Sequence, residues 1–226
     1  MNVLVFASRK GGSGKSTLAA HLAAHVAKPS RPTLLIDGDP QGSLTLWHEL
    51  RGQEELALKR GVRSLADTLK GAAREGYAWA FIDTPPNRSA AVVEAIRHAT
   101  MVIIPARPSI FDLAAVQDTI ELARELRKPY AVVLNGAPPK RSDVEVATVT
   151  EAREGLEALK VPVWSGQITH RADFSLALGA GEGAKEFDPA SAAAAEMAQL
   201  WSAVDRSVKA INGAYKTARG MHKIAA

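Results

Sequence analysis

The tightest constraint on this chain lies near its start. A short apolar run, residues 3–7, passes at once into Ser8-Arg9-Lys10-Gly11-Gly12-Ser13-Gly14-Lys15-Ser16-Thr17, and a segment of helical period follows without a linker. A strand that runs through a glycine-rich turn straight into a helix gathers backbone N–H groups and the positive helix end around one point. Phosphate oxygens satisfy such a cluster. Lys15 adds an ammonium for the terminal phosphates, the Ser16 hydroxyl can ligate magnesium, and Gly11, Gly12, Ser13, Gly14 and Thr17 complete the cradle. A glycine turn with no ligand is the competing reading, but such a turn has no use for Gly-Lys-Ser-Thr at a helix start.

The rest of the chain repeats the opening pattern of short apolar runs and longer helical stretches. Strands are expected at residues 3–7, 33–37, 78–83, 101–105 and 130–135, with a weaker one at 161–164; helices at 16–27, 64–74, 89–98, 113–127, 144–159 and 190–210. Prolines fall at the joints. The pattern predicts an α/β fold, a three-layer, doubly wound, mostly parallel sheet. With 46% hydrophobic and 23% charged residues, the 226 residues suit one domain, 1–226, burying roughly 70% of the unfolded chain's surface. The absence of cysteine excludes disulfides, thiolate zinc sites, cysteine-held iron–sulfur clusters and a cysteine nucleophile. The apolar start is too short for a signal peptide or a span, and no stretch reaches 18 uncharged apolar residues, so a cytoplasmic protein is expected.

Carboxylates follow two of the strands. Asp37-Gly38-Asp39-Pro40-Gln41 places two aspartates, one residue apart, at a strand's C-terminal edge, where such sheets bind ligands. Phosphoryl transfer to water needs a group that orients the attacking oxygen, and a carboxylate just past the strand can serve. An Asx turn before Pro40 is the alternative. The run at 78–83 also ends in aspartate, Asp83, followed by Thr84-Pro85-Pro86. The strand at 130–135 ends in Asn135, whose amide offers the donor and acceptor needed to match an adenine edge, although asparagine is also common in turns.

The phosphate loop departs from the strict consensus, which wants glycine where Arg9 stands. It also carries a second lysine, Lys10. One triphosphate leaves little room for two ammonium groups at the same oxygens, which frees one of them for another nucleotide across a dimer. These residues resemble the deviant Walker A P-loop ATPases, which include the ParA partition proteins, the MinD division-site proteins, the nitrogenase iron protein and the arsenite-pump ATPases. The family loop Lys-Gly-Gly-x-Gly-Lys-Ser/Thr is matched from Lys10 to Ser16. The resemblance implies a P-loop NTPase fold, Mg²⁺-dependent ATP hydrolysis, and an ATP-bound homodimer in which Lys10 reaches the partner subunit's ATP. It further implies that Asp39 positions the water, that Asp37 supports the magnesium environment, and that Asp83 is the Walker B aspartate holding a magnesium-bound water. Asn135 becomes a base contact, and Thr84-Pro85-Pro86 a second switch. The segment 168–174, with Arg171, resembles the family's late arginine segment near the nucleotide, and Gly181-Glu182-Gly183 with Glu186 extends the likeness to ParA.

Charge separates along the chain. Overall it is +4, but the 21 residues after Asp205 hold Arg206, Lys209, Lys216, Arg219 and Lys223 and no carboxylate, so they carry +5 while residues 1–205 sum to −1. On a helix those five cations fall within an arc of about 140°. DNA backbone, a solvated or partner-facing surface and a membrane surface compete for this face. Bulky apolar side chains are scarce after Trp201, which argues against a membrane, and Gly213 and Gly220 weaken the tail as an autonomous helix. With the phosphate loop at residue 8, the resemblance points to short ParA proteins, whose nonspecific binding of double-stranded DNA would make this chain nucleoid-associated. A centromere-binding or cargo adaptor would then stimulate hydrolysis. Should the tail not serve, Arg88, Arg107, Lys140, Arg141 and Arg171 are the next candidates for DNA. Positioning of a non-DNA cargo such as chemoreceptor clusters or carboxysomes, a MinD-like membrane regulator, and an ATP-dependent ligase are the alternatives. His21 and His25, four apart, are expected to lie on a helix surface rather than to bind metal, and the tryptophans to serve packing.

Overall fold

Successive residues of the first strand enter opposite cores. In β1 (Asn2–Phe6), Val3 and Val5 pack on one side of the sheet, Leu4 and Phe6 on the other. A strand buried on both faces reads as a continuous apolar run and needs helices above and below it. The computed structural model describes residues 1–52, 55–142 and 144–224; side chains are described for all of these except 110, 111, 114, 216 and 218–224. Its elements run α1 (Lys15–Val26), β2 (Thr33–Asp37), α2 (Ser43–Arg51), β3 (Leu56–Arg60), α3 (Leu65–Arg74), β4 (Trp79–Asp83), α4 (Ala90–His98) and β5 (Met101–Ala106). They continue with α5 (Ile110–Glu125), β6 (Tyr130–Ala137), α6 (Ala147–Ala158), β7 (Ile168–Thr169), α7 (Ala172–Gly179), α8 (Ala184–Phe187) and α9 (Ala192–Ile224).

The strands form one seven-stranded sheet in the order β3-β2-β4-β1-β5-β6-β7, and every pair is parallel. Helices α3 to α6 cover one face; α1, α2 and α7 to α9 cover the other. The expected three-layer arrangement is therefore present. The chain leaves β1 for β2, returns through β4, and then crosses to β5 on the far side of β1. That reversal opens a crevice at the C-terminal end of β1, where open α/β sheets bind ligands. Asp37 and Phe6 both stand in register with Asp83, so three strands end side by side at this crevice.

Serines set the starts of α3, α4 and α5. The Oγ atoms of Ser64, Ser89 and Ser109 accept from the N–H groups of Asp67, Val92 and Asp112, caps that each stabilise by about 0.5–2 kcal/mol. Ser109 explains why α5 begins three residues before the expected 113.

Three further departures have local causes. The strand expected at 161–164 is reduced to a single bridge between Val132 and Val163. The Trp164 ring lies against Gly166, 2.4 Å from where a β-carbon would sit, and Arg153 holds the Trp164 and Gly166 carbonyls, so the chain turns and pairs only later as β7. The edge strand β3 escapes a search for apolar runs because it ends in the half-buried Lys59 and the exposed Arg60. Finally, the last helix does not stop at 210: Val204 and Val208 are buried against the sheet, Ile211 packs beside them, Asn212 bonds Asn2, and the helix continues through Gly213 and Gly220 to residue 224.

Candidate functional site

The phosphate loop follows β1, and residues at the ends of β4 and β6 bond to it. Gly14 caps α1 in the left-handed region at φ 97°, and a β-carbon there would lie 2.0 Å from Asn135 Nδ2. Only glycine fits. Asn135, at the end of β6, donates from that Nδ2 to the Ser13 carbonyl at 2.7 Å. This hydrogen bond supports the phosphate cradle from beneath and uses one of the two amide hydrogens. No N–H of residues 11–17 donates to a protein acceptor among the described residues. Such a set of inward donors at a helix start fits phosphate.

Lys15 and Lys10 part company here. Lys15 is 6% exposed, and among the described residues its Nζ hydrogen-bonds only the Lys10 carbonyl, at 3.4 Å. Desolvation lowers its pKa, with Asp83 and Asp39 pulling the other way. Lys10 is exposed at the rim, and its ammonium makes no ion pair among the described residues. The two lysines therefore occupy different environments.

Of the carboxylates, Asp83 stands closest to the loop. It is fully buried and accepts from Ser16 Oγ at 2.5 Å, while its other oxygen accepts the Thr84 N–H. Burial pushes its carboxyl up to about 7, with the Ser16 hydrogen bond and Lys15 opposing. A hydroxyl and a buried carboxylate in contact beside a phosphate cradle form the oxygen set that magnesium takes together with waters and phosphates. Asp37 is placed otherwise. Its Oδ2 accepts the N–H (2.9 Å) and hydroxyl (2.7 Å) of Thr45, and its Oδ1 accepts the Asp39 N–H, so it anchors the start of α2 and shapes the turn that follows it. Asp37 also stands in register with Asp83 on the neighbouring strand, and its charge helps to raise the Asp83 carboxyl. Asp39 does form the Asx turn, accepting the Gln41 N–H at 3.0 Å with Oδ1, while Oδ2 has no protein partner among the described residues. The carboxylate lines the cleft while it holds the turn.

The cleft itself, ≈ 510 Å³, is bounded by the loop and by Asp39, Gln41, Trp47, Pro86 and Arg107. That size is typical of small-ligand sites. A second cavity of ≈ 310 Å³ lies behind residues 37–40, against α3 and α4. Thr84 of the expected second switch is tied down, its hydroxyl donating to the Phe6 carbonyl at 2.8 Å.

Several residues at or near the site have no sequence motif. Trp47 lines the cleft and donates to the Glu182 carbonyl; the Arg51 guanidinium lies 5.5 Å from its ring centre and bonds both oxygens of Glu186 at 2.7 and 2.6 Å. Glu186 also accepts the Gly183 N–H, so the late motif Gly181-Glu182-Gly183 and Glu186 brace α2 rather than meeting the loop. Arg171, expected near the nucleotide, pairs with Glu196 of α9. His21 is not on the surface. It is 1% exposed, and its Nδ1 accepts the Ala184 N–H, which corrects the expectation of a surface histidine. Arg107 directly follows the buried strand β5, and what it meets there is set by the sheet order.

The basic tail is a helix, as the charge argument supposed. Arg206 and Lys209 are exposed, with Arg206 bonded to Ser202 and Lys209 to Asp205. The side chains of Lys216, Arg219 and Lys223 lie outside the described residues, although their backbone belongs to α9. Among the described residues no helix is long and apolar enough to cross a membrane.

Comparison with known proteins agrees with this geometry. The chain is 31% identical over 171 residues to the "Maintenance of carboxysome distribution protein A" of Gloeobacter kilaueensis, covering 74% of this chain and 76% of that one. It is 34% identical over 174 residues to the "Protein ParA" of Rhizobium radiobacter, covering 72% and 78%. Among solved structures, Pyrococcus horikoshii MinD with Mg-ADP superposes with a TM-score of 0.74 at 18% identity over 93% of this chain and 98% of that one, a likeness of fold. A model of the CobQ/CobB/MinD/ParA nucleotide-binding domain matches residues 4–183, and the chain belongs to that family of ATPases.

Proposed function

We propose that this protein is an Mg²⁺-dependent ATP hydrolase that dimerises on ATP, holds double-stranded DNA without sequence preference in that state, and segregates a DNA cargo whose adaptor stimulates hydrolysis. The observation that carries the reading is the separation of the two lysines, Lys15 folded inside the cradle and Lys10 exposed at its rim. In its own subunit, the N–H groups of residues 11–17 bind the phosphates, and Lys15 supplies the charge that its buried position preserves for them. Lys10 reaches outward to the partner subunit's nucleotide. Asp39, steadied by the Gln41 N–H, orients the attacking water through its remaining oxygen. Ser16 and Asp83 hold magnesium or its waters, and the metal neutralises charge on the phosphate oxygens when bound. Asp37, through Thr45, keeps the Asp39 turn in place.

Arg206, Lys209, Lys216, Arg219 and Lys223 supply cations for the DNA backbone on α9, and a dimer presents two such helices. Relatives named ParA and Soj, the latter a chromosome-partitioning ATPase, support partition. A second reading, positioning of a protein assembly, draws on the relatives named for carboxysome distribution; it shares the same ATP and DNA chemistry. The test is retention on DNA of unrelated sequences. Retention should need Mg-ATP, be equal for all sequences and fall steeply with salt; retention that follows one sequence, or is unchanged without nucleotide, contradicts the proposal.

A further inference from the structure

We propose that Arg107 is a phosphate ligand, its guanidinium binding phosphate oxygens of the nucleotide held by the loop of its own chain. This role rests on the nucleotide reading above. Arg107 is the first residue past β5, which adjoins β1 on the side away from β4 and Asp83. Both strands end at the crevice, so the phosphate loop after β1 and residue 107 after β5 are neighbours.

The side chain is directed rather than merely near. Where a β-carbon would sit at Gly12, Arg107 Nη2 is 3.6 Å away; where one would sit at Gly136, at the end of β6, Arg107 Cγ and Nε are 3.9 and 4.0 Å away. The stem thus crosses one glycine and the head comes to rest beside a glycine of the cradle. Arg107 lines the same cleft as Lys15, Ser16 and Asp39.

Two accounts of charge point the same way. Arg9, Arg51, Arg88, Arg153 and Arg171 each meet a carboxylate, whereas Arg107 has no ion-pair partner among the described residues. Lys15 moreover feels two carboxylates, Asp83 and Asp39. One ammonium facing two aspartates is a poor host for a polyphosphate, and with Lys10 turned to the partner, Arg107 is the cation that redresses the balance. A planar guanidinium bonds two phosphate oxygens at once, which an ammonium cannot match in geometry.

The experiment is calorimetric titration of Mg-ADP and Mg-ATP into wild type, Arg107→Ala and Arg107→Lys, at concentrations where light scattering reports monomers. Arg107→Ala should bind both nucleotides about tenfold more weakly, and Arg107→Lys, which keeps the charge without the fork, about threefold more weakly. Melting temperatures should not change, since the side chain holds nothing else in place, and the lysine variant carries the test if the alanine variant does not fold. Wild-type protein that binds neither nucleotide defeats the functional reading itself. Wild-type binding with both variants within twofold overturns only the role of Arg107. Unchanged nucleotide affinity with loss of DNA retention also overturns it and assigns Arg107 to the DNA surface.

Discussion

Replacing Asn135 with alanine separates two roles that this residue could hold. In the structure its amide donates to the Ser13 carbonyl at 2.7 Å and packs directly under Gly14. Asn135→Ala removes that donor, strands the carbonyl in a buried position and leaves a small void below the loop. An unsatisfied buried group costs about 1–3 kcal/mol, and the void adds to it, so a loss of about 2 kcal/mol is expected. For a chain of this size that lowers the melting temperature by about 4–8 °C. The loop's N–H groups lose their shared orientation at the same time, so ATP and GTP should both bind more weakly, and by similar factors. Thermal denaturation followed by circular dichroism, with parallel titrations of the two nucleotides, reads both quantities. A variant of wild-type stability that loses only its preference for ATP over GTP would refute the reasoning and return Asn135 to the adenine edge.

Two further predictions concern α1 and α9. Burial lowers the pKa of His21 to about 4 from 6.5, helped by an Nδ1 that faces the Ala184 N–H and cannot carry a proton there. The unfolded chain therefore binds the extra proton between these values, so the stability from neutral His21 is complete above about pH 6.5 and drains away as pH falls toward 4. Urea melts should show about 2 kcal/mol lost between pH 7.5 and 5, and His21→Asn, which can still accept from Ala184, should lose much less; equal losses would clear His21 of the effect. On α9, a cut after Asp205 would strip Val208 from the core, so the informative truncation follows Asn212. It removes Lys216, Arg219 and Lys223 and should lower the salt slope of DNA binding by about 2–3 units; an unchanged slope places the DNA face elsewhere.

The legible parts of this protein are those whose chemistry is local in sequence. The cradle is one continuous segment, and Asp39 and Asp83 each follow an apolar run, so strand ends and carboxylates could be read together. The sheet order explains why the rest could not. Asn135 and Arg107 reach the loop only because β5 and β6 end beside β1, a fact of topology that no motif encodes. Asp37 lies in the same motif as Asp39, yet that its Oδ2 takes both donors of Thr45, eight residues on, is visible only in the fold. His21 shows the same limit from the other side: its polar character suggested a surface, but α8 supplies the N–H that lets it be buried. Glu186, legible only as part of a family pattern, proves to hold Arg51 across the α2–α8 contact.

The central claim is that ATP joins two copies through Lys10 while Asp39 serves only the later step. Light scattering of Asp39→Ala with Mg-ATP tests it most directly, because a variant that binds but does not hydrolyse should stay joined. The expected mass is twice the 24.0 kDa chain, falling to a single chain in Asp39→Ala combined with Lys10→Ala. A dimer of unchanged stability in the double variant, or a monomer in Asp39→Ala that demonstrably binds ATP, would contradict the account.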